Sequence, residues 1–381
     1  MNRIEAIELV PIRVPLKRVY RGSYYKMQAR CTIITRIFTS DGIVGEAYNA
    51  DSDEEQAEIV AIIRDELTPK MIGRDAMSIE SAWEAMLPCT YDQLRDRRLA
   101  MQAIACVDTA LWDAFGKAVG QPLFKIWGGY RDRIPAIGIG GYYGHSDEQL
   151  EQEAILFREQ GFKGMKFKVG GMTPAEDERR LRVVRDAMGP DFVLMCDANQ
   201  GYTTAQAIEF GRRVADVGLR WFEEPCRWYN DRRGMRDVRL TTGIPVTAGQ
   251  SEISRLGVRD LITEAAIDVS NFDASWGGGP TEWRRVAGLA ATFDVQMGHH
   301  EEAHLSSHLL AAIPHGTYSE CFSPDRDPIW WQMLANRPKL EDGCLPLPSD
   351  AGLGWVLDPS FIARYRVDKS EAAPRVMVSA E

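Results

Sequence analysis

The chain has 381 residues, 45% of them hydrophobic and 26% charged, which is the composition of a globular protein of two domains or one large one. A net charge of −10 and a pI of about 5.3 argue against nucleic-acid binding, which requires a basic face. Seven dispersed cysteines without a CxxC pair, and the lack of a long apolar run, predict a reduced, cytoplasmic protein that binds neither nucleic acid nor a membrane.

The first 128 residues predict an α+β domain. Apolar and polar residues alternate over 4–16 and 31–47, and this pattern predicts antiparallel strands. The spacing of apolar residues then becomes helical up to residue 118, and the Ala-rich stretch 97–120 ends at a glycine, a common helix terminus. A group of strands followed by helices is typical of this class of domain.

Beyond residue 128 a different pattern predicts a closed (β/α) barrel over residues 129–341. Short apolar runs recur about every 22 to 30 residues, the length of one βα unit, and each is followed by a helical stretch. The predicted strands begin at residues 134, 164, 192, 219, 245, 267, 295 and 318. Eight strands at this spacing match a TIM barrel. The last segment, 342–381, is rich in Pro and Gly and is expected to return to the first domain.

The carboxyl ends of the predicted strands carry polar residues, and in a TIM barrel these ends form the active site. Lys166 and Lys168 lie two apart on one strand, so both ammonium groups face the same way. Two like charges near an apolar interior are costly unless neighbouring groups require them. The other strand ends contribute Asp197, Asn199, Glu223, Glu224, Gln250, Glu252, Asp273, His299, His300 and Glu320.

Asp197 and Glu223 are the firmest candidates for ligands of Mg²⁺, which prefers carboxylate oxygen. The two lysines would face a divalent cation and a bound anionic substrate. The charge of the metal and that of the other lysine would lower the pKa of a lysine, so that its neutral amine could act as a base. The alternatives are lysines that extend to solvent at the barrel rim and acids that cap the next helix. We favour the cap for Glu224, because Pro225 follows it.

The histidines of the sequence divide into two groups. Asp273 and His300 end neighbouring strands, so the carboxylate can hydrogen-bond one imidazole nitrogen and orient the ring. His304 and His308 follow at the i, i+4 spacing of a helix, which could bind zinc. However, HLSSH lacks the glutamate of the HExxH motif, and we interpret both as helix residues packed against the barrel.

Taken in order, these residues resemble the enolase superfamily, and within it the mandelate racemase subgroup (the mandelate racemase/muconate lactonizing enzyme family), over nearly the full chain. The resemblance implies an α+β N-terminal capping domain and a modified TIM barrel, (β/α)₇β, with a C-terminal segment that returns to the capping domain. The matching segments are KFK (Lys166, Lys168), DANQ (Asp197), EEP (Glu223), the Asp273 and His300 pair, Glu320, and ALWDAFGKAVGQPLFKIWGG ahead of the barrel.

The resemblance also implies roles in the removal of a proton α to a carboxylate. Lys168 would be the base or acid on one face of the substrate, with Lys166 tuning it and touching the carboxylate. His300, oriented by Asp273, would act on the opposite face. Glu320 would hydrogen-bond the substrate carboxylate as it becomes an enediolate.

One Mg²⁺ per subunit is implied, with Asp197 and Glu223 as ligands. The third ligand in the subgroup is usually the acid directly after a glycine, and here that position is Gln250. Either the amide oxygen of Gln250 or the carboxylate of Glu252 completes the set, and position favours Gln250. A neutral oxygen attracts Mg²⁺ less strongly than a carboxylate does.

Subgroup members with these motifs are most often acid-sugar dehydratases. The resemblance therefore implies a lyase that dehydrates an aldonate or aldarate to a 2-keto-3-deoxy acid, and we expect a homo-oligomer. Residues 21–27, RGSYYKM, resemble a mobile loop that closes over the substrate, which makes Arg21 and Tyr24 candidates for substrate contact; a plain surface loop is the alternative. The polar residues that suit a polyhydroxylated substrate are Asn199, Gln250, Glu252 and His299.

Three other functions stay open. A racemase, epimerase or cycloisomerase of a sugar acid would abstract the same proton without net loss of water. A metal-binding barrel without catalysis is supported only by Gln250. A zinc hydrolase built on His304 and His308 would require both histidines.

Overall fold

The computed structural model describes residues 2–51 and 53–367. Its N-terminal part is an α+β domain, as expected, in which an antiparallel sheet has the strand order of the chain. The strands are β1 (Ile4–Arg21), β2 (Lys26–Thr39) and β3 (Val44–Asn49). The helices that follow are α1 (Gln56–Ile62), α2 (Thr68–Met71), α3 (Ile79–Met86), α4 (Arg97–Val119) and α5 (Leu123–Ile126).

Helix α4 packs on both parts of the protein because its small residues let other elements approach closely. It ends at Gly120, whose φ of 66° lies in the left-handed region. A Cβ on Gly45 of β3 would lie 2.2 Å from the carbonyl oxygen of Ala110, so this contact requires glycine. On another side, Asp108 accepts hydrogen bonds from the backbone N–H and the hydroxyl of Thr281. The capping domain is therefore fixed to the barrel by buried contacts.

The second part of the described chain is a closed barrel of eight parallel strands. The first seven strands pair successively in chain order, and the eighth strand pairs with the first. A bridge between Met297 and Gly316 joins the two remaining neighbours. The strands are β4 (Arg133–Gly140), β5 (Gly164–Lys168), β6 (Val193–Asp197), β7 (Leu219–Glu223), β8 (Val246–Ala248), β9 (Val269–Ser270), β10 (Gln296–Met297) and β11 (Ser319–Phe322).

Seven helices connect these strands within the described residues, which confirms the (β/α)₇β barrel. They are α6 (Asp147–Glu159), α7 (Pro174–Met188), α8 (Thr204–Arg213), α9 (Asp231–Thr242), α10 (Arg255–Thr263), α11 (Gly279–Thr292) and α12 (Ala303–Ala311). Helices α6, α7 and α8 each begin with a capping box, in which a Ser or Thr side chain and a Gln or Glu side chain exchange bonds with the backbone. Local sequence therefore determines where these helices begin.

Three barrel strands are shorter than the apolar runs that predict them. Strands β8, β9 and β10 have three, two and two residues. Gln250, Asp273 and His300, expected at strand ends, therefore lie in loops two or three residues further on. Because a loop is not held by a hydrogen-bonded ladder, the positions of these side chains depend on tertiary contacts.

The C-terminal segment returns to the capping domain, as expected. Strand β12 (Cys344–Pro346) pairs antiparallel with β4, and helix α13 (Pro359–Tyr365) follows. The backbone N–H of Val367 then donates to the carbonyl of Pro11 on β1. The end of the predicted tail, 368–381, lies outside the described residues. In the part of the chain that the structure describes, no helix has both the length and the apolarity needed to cross a bilayer.

Candidate active site

The two lysines of β5 lie in a buried cluster with three carboxylates. Nζ of Lys166 is 2.7 Å from Oε1 of Glu223 and 2.5 Å from Oε1 of Glu320. Nζ of Lys168 is 2.6 Å from Oδ2 of Asp197. In the strand register Lys168 is opposite Asp197, and Asp197 is opposite Glu223. The parallel sheet itself therefore brings these charges together.

These contacts raise the lysine pKa values instead of lowering them. Burial lowers the pKa of Lys166, but the charges of Glu223 and Glu320 outweigh burial and hold the pKa above its ordinary value. For Lys168, burial again lowers the pKa, and the charge of Asp197 raises it by more. In the protein alone the carboxylates that face the two lysines outweigh the repulsion between them and raise both pKa values. The expected lowering also depends on the charge of a bound metal, so it stays a prediction for the metal-bound site.

Asp197 and Glu223 form a fully buried carboxylate pair on adjacent strands. Oδ1 of Asp197 accepts a hydrogen bond from the backbone N–H of Asn199 at 2.8 Å, whereas Oε2 of Glu223 has no hydrogen-bond partner within the described structure. Burial raises the pKa of Glu223 well above its ordinary value, against the opposing charge of Lys166. A buried carboxylate oxygen without a donor is costly, and it is the type of ligand that Mg²⁺ prefers. The pair therefore fits Mg²⁺.

On a different part of the barrel mouth, Asp273 orients His300. Oδ2 of Asp273 is 2.9 Å from Nδ1 of His300, and the ring of Trp276 lies 4.8 Å from the imidazole, centroid to centroid. Burial lowers the pKa of His300 well below its ordinary value, and the charges of Lys166 and Lys168 lower it further. The hydrogen bond that the sequence predicts between carboxylate and imidazole is present.

A cavity of about 560 Å³ lies between the capping domain and the barrel mouth. The barrel lines it with Lys168, Asn199, Gln250, Trp276, His300 and Glu301. The capping domain contributes Tyr25, Lys26, Met27, Gln28, Asp51 and Arg98, among others. Five further predicted residues are buried and contact this lining or one another, namely Lys166, Asp197, Glu223, Asp273 and Glu320. The lysine–carboxylate cluster and the Asp273–His300 pair therefore lie at the same cavity.

Arg21 and Tyr24, expected to contact the substrate, do not line this cavity. Arg21 is the last residue of β1, and its carbonyl accepts a hydrogen bond from the N–H of Tyr143. Tyr24 lies in the tight turn between β1 and β2. Tyr24 is 70% exposed, and its hydroxyl accepts a hydrogen bond from Nη2 of Arg227. Tyr25, next in the chain, lines the cavity instead, because adjacent side chains in a hairpin point in different directions.

The two candidates for a third metal ligand have different surroundings. Gln250 lines the cavity, accepts a hydrogen bond from Nδ2 of Asn271 at 3.0 Å and donates one to Oε2 of Glu224 at 3.2 Å. Glu224 therefore binds a neighbouring loop and does not cap a helix. Glu252 lies 2.8 Å from Arg232 and lines a separate small cavity. Among the described residues no three His, Cys, Asp or Glu side chains are grouped as metal ligands.

The other histidines near the site have packing roles. Nε2 of His299 accepts a hydrogen bond from the N–H of Ala274, and burial lowers its pKa to about 4. His299 does not line the cavity, contrary to expectation. His304 stacks on the ring of Tyr48 with a centroid distance of 3.5 Å, and His308 packs among aromatic side chains. These contacts match the interpretation of His304 and His308 as packed helix residues.

The sequence analysis misses several residues that line the cavity, among them Asp51, Trp276 and Glu301. Glu301 has a local signal, because two glutamates directly follow the histidine pair in HHEE. Asp51 has none, since it lies in the first domain and reaches the site only through the fold. Trp276 donates its Nε1–H to Asp51 at 2.9 Å and so connects the two domains beside His300.

Matches to known proteins agree with this fold and site. Residues 6–128 match the family model described as "Mandelate racemase / muconate lactonizing enzyme, N-terminal domain", and residues 149–361 match "Enolase C-terminal domain-like". The chain belongs to the mandelate racemase/muconate lactonizing enzyme family of the enolase superfamily.

Its characterised relatives include acid-sugar dehydratases and cycloisomerases. Arabinonate dehydratase of Saccharolobus solfataricus is 30% identical over 88% of this chain and 90% of its own. The 3,6-anhydro-alpha-L-galactonate cycloisomerase of Streptomyces coelicolor is 30% identical over 96% and 99%. L-talarate/galactarate dehydratase of Salmonella typhimurium is 30% identical over 93% and 89%.

Solved structures of the family are similar over almost the whole chain. One mandelate racemase/muconate lactonizing enzyme is 53% identical over 97% of this chain and all of its own, with a TM-score of 0.95. Another, from a marine actinobacterium and in complex with magnesium, is 51% identical over 97% and 100%, with a TM-score of 0.92. A variant of an L-talarate/galactarate dehydratase with magnesium and L-glucarate is 28% identical over 96% of this chain and 92% of its own, with a TM-score of 0.88.

Proposed function

We propose that the protein is a Mg²⁺-dependent acid-sugar dehydratase, which removes the proton α to a carboxylate and expels a β-hydroxyl as water. The observation that carries this proposal is the cavity wall, where Lys168 and the Asp273-bound imidazole of His300 face one space. Elimination of water requires a base and an acid that reach the same substrate. The dehydratases among the relatives support the same substrate class.

Asp197 and Glu223 would hold the metal, with the amide oxygen of Gln250 as the third protein ligand. Glu252 is the weaker candidate, because its carboxylate is engaged with Arg232. Bound Mg²⁺ would supply positive charge that makes the α-proton more acidic and offsets the carboxylates that raise the lysine pKa values. The magnesium-containing relatives support this choice of ion.

Lys168 would accept the α-proton at Nζ as the C–H bond breaks and its electron pair moves toward the carboxylate. Lys166, held between Glu223 and Glu320, would provide positive charge where negative charge develops. Glu320 would hydrogen-bond the substrate carboxylate. His300 would donate a proton to the β-hydroxyl, so that the C–O bond breaks, water leaves, and the enol product becomes a 2-keto-3-deoxy acid.

The substrate would be an aldonate or aldarate, because the cavity wall is rich in groups that bind hydroxyls. Asn199 and Gln250 would contribute from the barrel. On the capping domain we now propose Tyr25 and Lys26 in place of the turn residues Arg21 and Tyr24. The hydroxyl groups of a polyhydroxylated chain can form hydrogen bonds with this mixture of amide, phenol and charged groups.

A sugar-acid cycloisomerase is the second candidate function. The observation that favours it is the relative from Streptomyces coelicolor, a cycloisomerase aligned with this chain over 99% of its own length. Such a reaction would begin with removal of the same α-proton by Lys168. The C–O bond between the β-carbon and a ring oxygen would then break, and His300 would protonate that oxygen, so that the ring opens without net loss of water. The two functions therefore differ in what happens after the proton is removed.

The test is an assay of the purified protein with Mg²⁺ against a library of aldonates, aldarates and their cyclic derivatives. Dehydration gives a 2-keto product, detected with semicarbazide, and a loss of water in the mass spectrum. Cycloisomerisation changes the NMR spectrum without a change in mass. No turnover of any acid by protein that has bound Mg²⁺ would overturn both proposals and favour a metal-binding barrel without catalysis.

A further inference from the structure

A second carboxylate touches the imidazole of His300 from the side opposite Asp273. Asp273 lies 2.9 Å from Nδ1, and Oε1 of Glu301 lies 3.4 Å from Nε2. Glu301 lines the same cavity as His300. The ring is therefore held between two acids, one buried and one at the cavity wall.

Asp273, His300 and Glu301 form favourable contacts only if two protons are shared among their three side chains. A neutral imidazole has one N–H, so between two ionised carboxylates it would turn one bare nitrogen toward an anion. With a second proton, Asp273 donates to Nδ1 while Nε2–H faces Glu301. Burial raises the pKa of Asp273 well above its ordinary value and lowers that of His300, which agrees with a proton on the carboxyl group of Asp273.

Two buried arginines lie within ion-pair distance of the carboxylate of Glu301. Its Oε2 is 3.2 Å from Nη1 of Arg30, and its Oε1 is 3.7 Å from Nη2 of Arg326. Arg30 is 2% exposed and comes from β2 of the capping domain, where it also contacts other carboxylates. Since these guanidinium groups cannot lose their charge, the acid beside Nε2 has a fixed ionic partner.

The backbone at Glu301 has an uncommon conformation that brings its side chain back to the preceding histidine. Glu301 and Glu302 have φ values of 50° and 48°, in the left-handed region that side chains disfavour. The N–H of Glu301 donates to Oε2 of Glu320 at 3.0 Å, which holds this turn against the lysine cluster. Strained backbone that the surroundings maintain is common at functional sites.

We propose that Glu301 is a positioning residue whose carboxylate holds the Nε2–H form of His300, so that the proton for the leaving hydroxyl faces the cavity. This role rests on the proposed dehydration. The proton on Nε2 passes to the β-hydroxyl oxygen, the C–O bond breaks, and its electron pair leaves with water. The proton of Asp273 then moves to Nδ1, and solvent later restores the proton that was lost.

The test compares Glu301→Gln with the wild-type holoenzyme. A glutamine amide can donate to Nε2, so the variant no longer requires the Nε2–H form, and ¹⁵N NMR of His300 should report Nε2–H in the wild type and Nδ1–H in the variant. We expect kcat for dehydration to fall about 10- to 100-fold, with KM little changed. The high-pH limb of the kcat profile should move to lower pH. The charged groups that face His300 in that profile are Asp273, Glu301, Asp51, Lys166, Lys168 and Asp197.

Two further variants separate positioning from folding. Glu302→Gln is the matched control, because Glu302 is also buried, left-handed and 3.1 Å from Arg30, but its other carboxylate oxygen faces His304. We expect the His300 tautomer to stay as in the wild type and kcat to fall less than in Glu301→Gln, because Glu302 acts on Asp273 through its charge and does not contact the ring of His300. Glu301→Asp, which keeps a carboxylate, should recover part of the lost kcat.

Exchange of the α-proton in ²H₂O, which uses Lys168, should continue in Glu301→Gln. A wild-type kcat and tautomer in that variant would overturn the positioning role, and so would loss of exchange together with dehydration. If the wild type dehydrates no acid, the proposed function fails, and the NMR comparison still decides whether Glu301 sets the tautomer.

Discussion

The lysine side and the histidine side of the cavity are built in different ways. Lys166 and Lys168 lie on β5, and the register of adjacent strands sets their distances to the acids. His300 lies beyond the two-residue strand β10. Its neighbour Glu301 is held by Arg30 of the capping domain, more than 250 positions away in the chain. Contacts within the barrel are enough to position the lysine side, whereas the histidine side requires contacts from both domains.

Because the two sides are positioned by different contacts, the two half-reactions should respond differently to changes at the domain interface. A perturbation of the domain interface should weaken the acid that expels water and leave the base that removes the α-proton in place. The two half-reactions can be measured separately, as loss of water and as α-proton exchange with ²H₂O. The ratio of these rates therefore reports on which side of the cavity has been disturbed.

Removing the base should have the largest effect. We expect Lys168→Ala to lower both exchange and dehydration by about a thousandfold, because general base catalysis is lost. NMR detection of α-deuterium measures the first rate and the 2-keto acid assay the second. His300→Asn is the counterpart, with dehydration lost and exchange retained. Exchange that persists in Lys168→Ala would assign the base to His300.

Weakening the domain interface should affect one side only. Arg30 contacts Asp51, Glu301, Glu302 and Asp327, and a lysine keeps the charge but loses the planar fork. We expect Arg30→Lys to lower kcat for dehydration about 10- to 100-fold and to leave α-proton exchange within about threefold of wild type.

The control for this variant is Arg36→Lys, at an arginine of the same sheet that pairs with Glu8 and Glu46 away from the cavity. It should leave both rates unchanged. Equal losses of exchange and dehydration in Arg30→Lys would mean that the capping domain supports the lysine side as well.

Acid should destabilise the domain interface through a buried histidine. Burial lowers the pKa of His308 to about 3, so the folded state keeps it neutral while the unfolded chain takes up a proton below about pH 6.5. Its contribution is fully present above that pH and is lost as the pH falls toward 3. At pH 5 the loss is about 2 kcal/mol.

Urea unfolding of wild type and His308→Gln at pH 8 and pH 5 measures this contribution. We expect the wild type to lose about 2 kcal/mol more between the two pH values than the variant does. The pH 8 comparison gives the packing cost of the substitution by itself. Parallel losses in the two proteins would show that His308 takes up no proton on unfolding.

The smallest expected effect concerns the lysine side and its cation. Gln250→Glu adds a negative charge where the third ligand is proposed, and we expect Mg²⁺ to bind roughly tenfold more tightly by calorimetry. Glu252→Gln is the control and should leave the affinity unchanged, since Glu252 faces Arg232. The reverse pattern would make Glu252 the ligand.

Local patterns in the chain are enough to predict the barrel and the lysine side. Strand and helix periods, capping boxes and polar strand ends are short-range features, and in-register pairing of β5, β6 and β7 then brings Lys168, Asp197 and Glu223 together. The family resemblance identified the first domain as a capping domain and supported the predicted return of the C-terminal segment. The barrel and the lysine side could be predicted because they depend on residues that are close in the chain or in the adjacent strand.

The histidine side, and the part of the cavity wall that the capping domain contributes, depend on long-range contacts and could not be predicted from local sequence. Which of Gln250 and Glu252 faces the cavity depends on how a loop turns after a three-residue strand. Tyr25 in place of Tyr24 depends on where the hairpin meets the barrel. Arg30 and Glu302 are 272 positions apart, and no local period links them. Their contact comes from the docking of two domains, which buries opposite charges that must then pair.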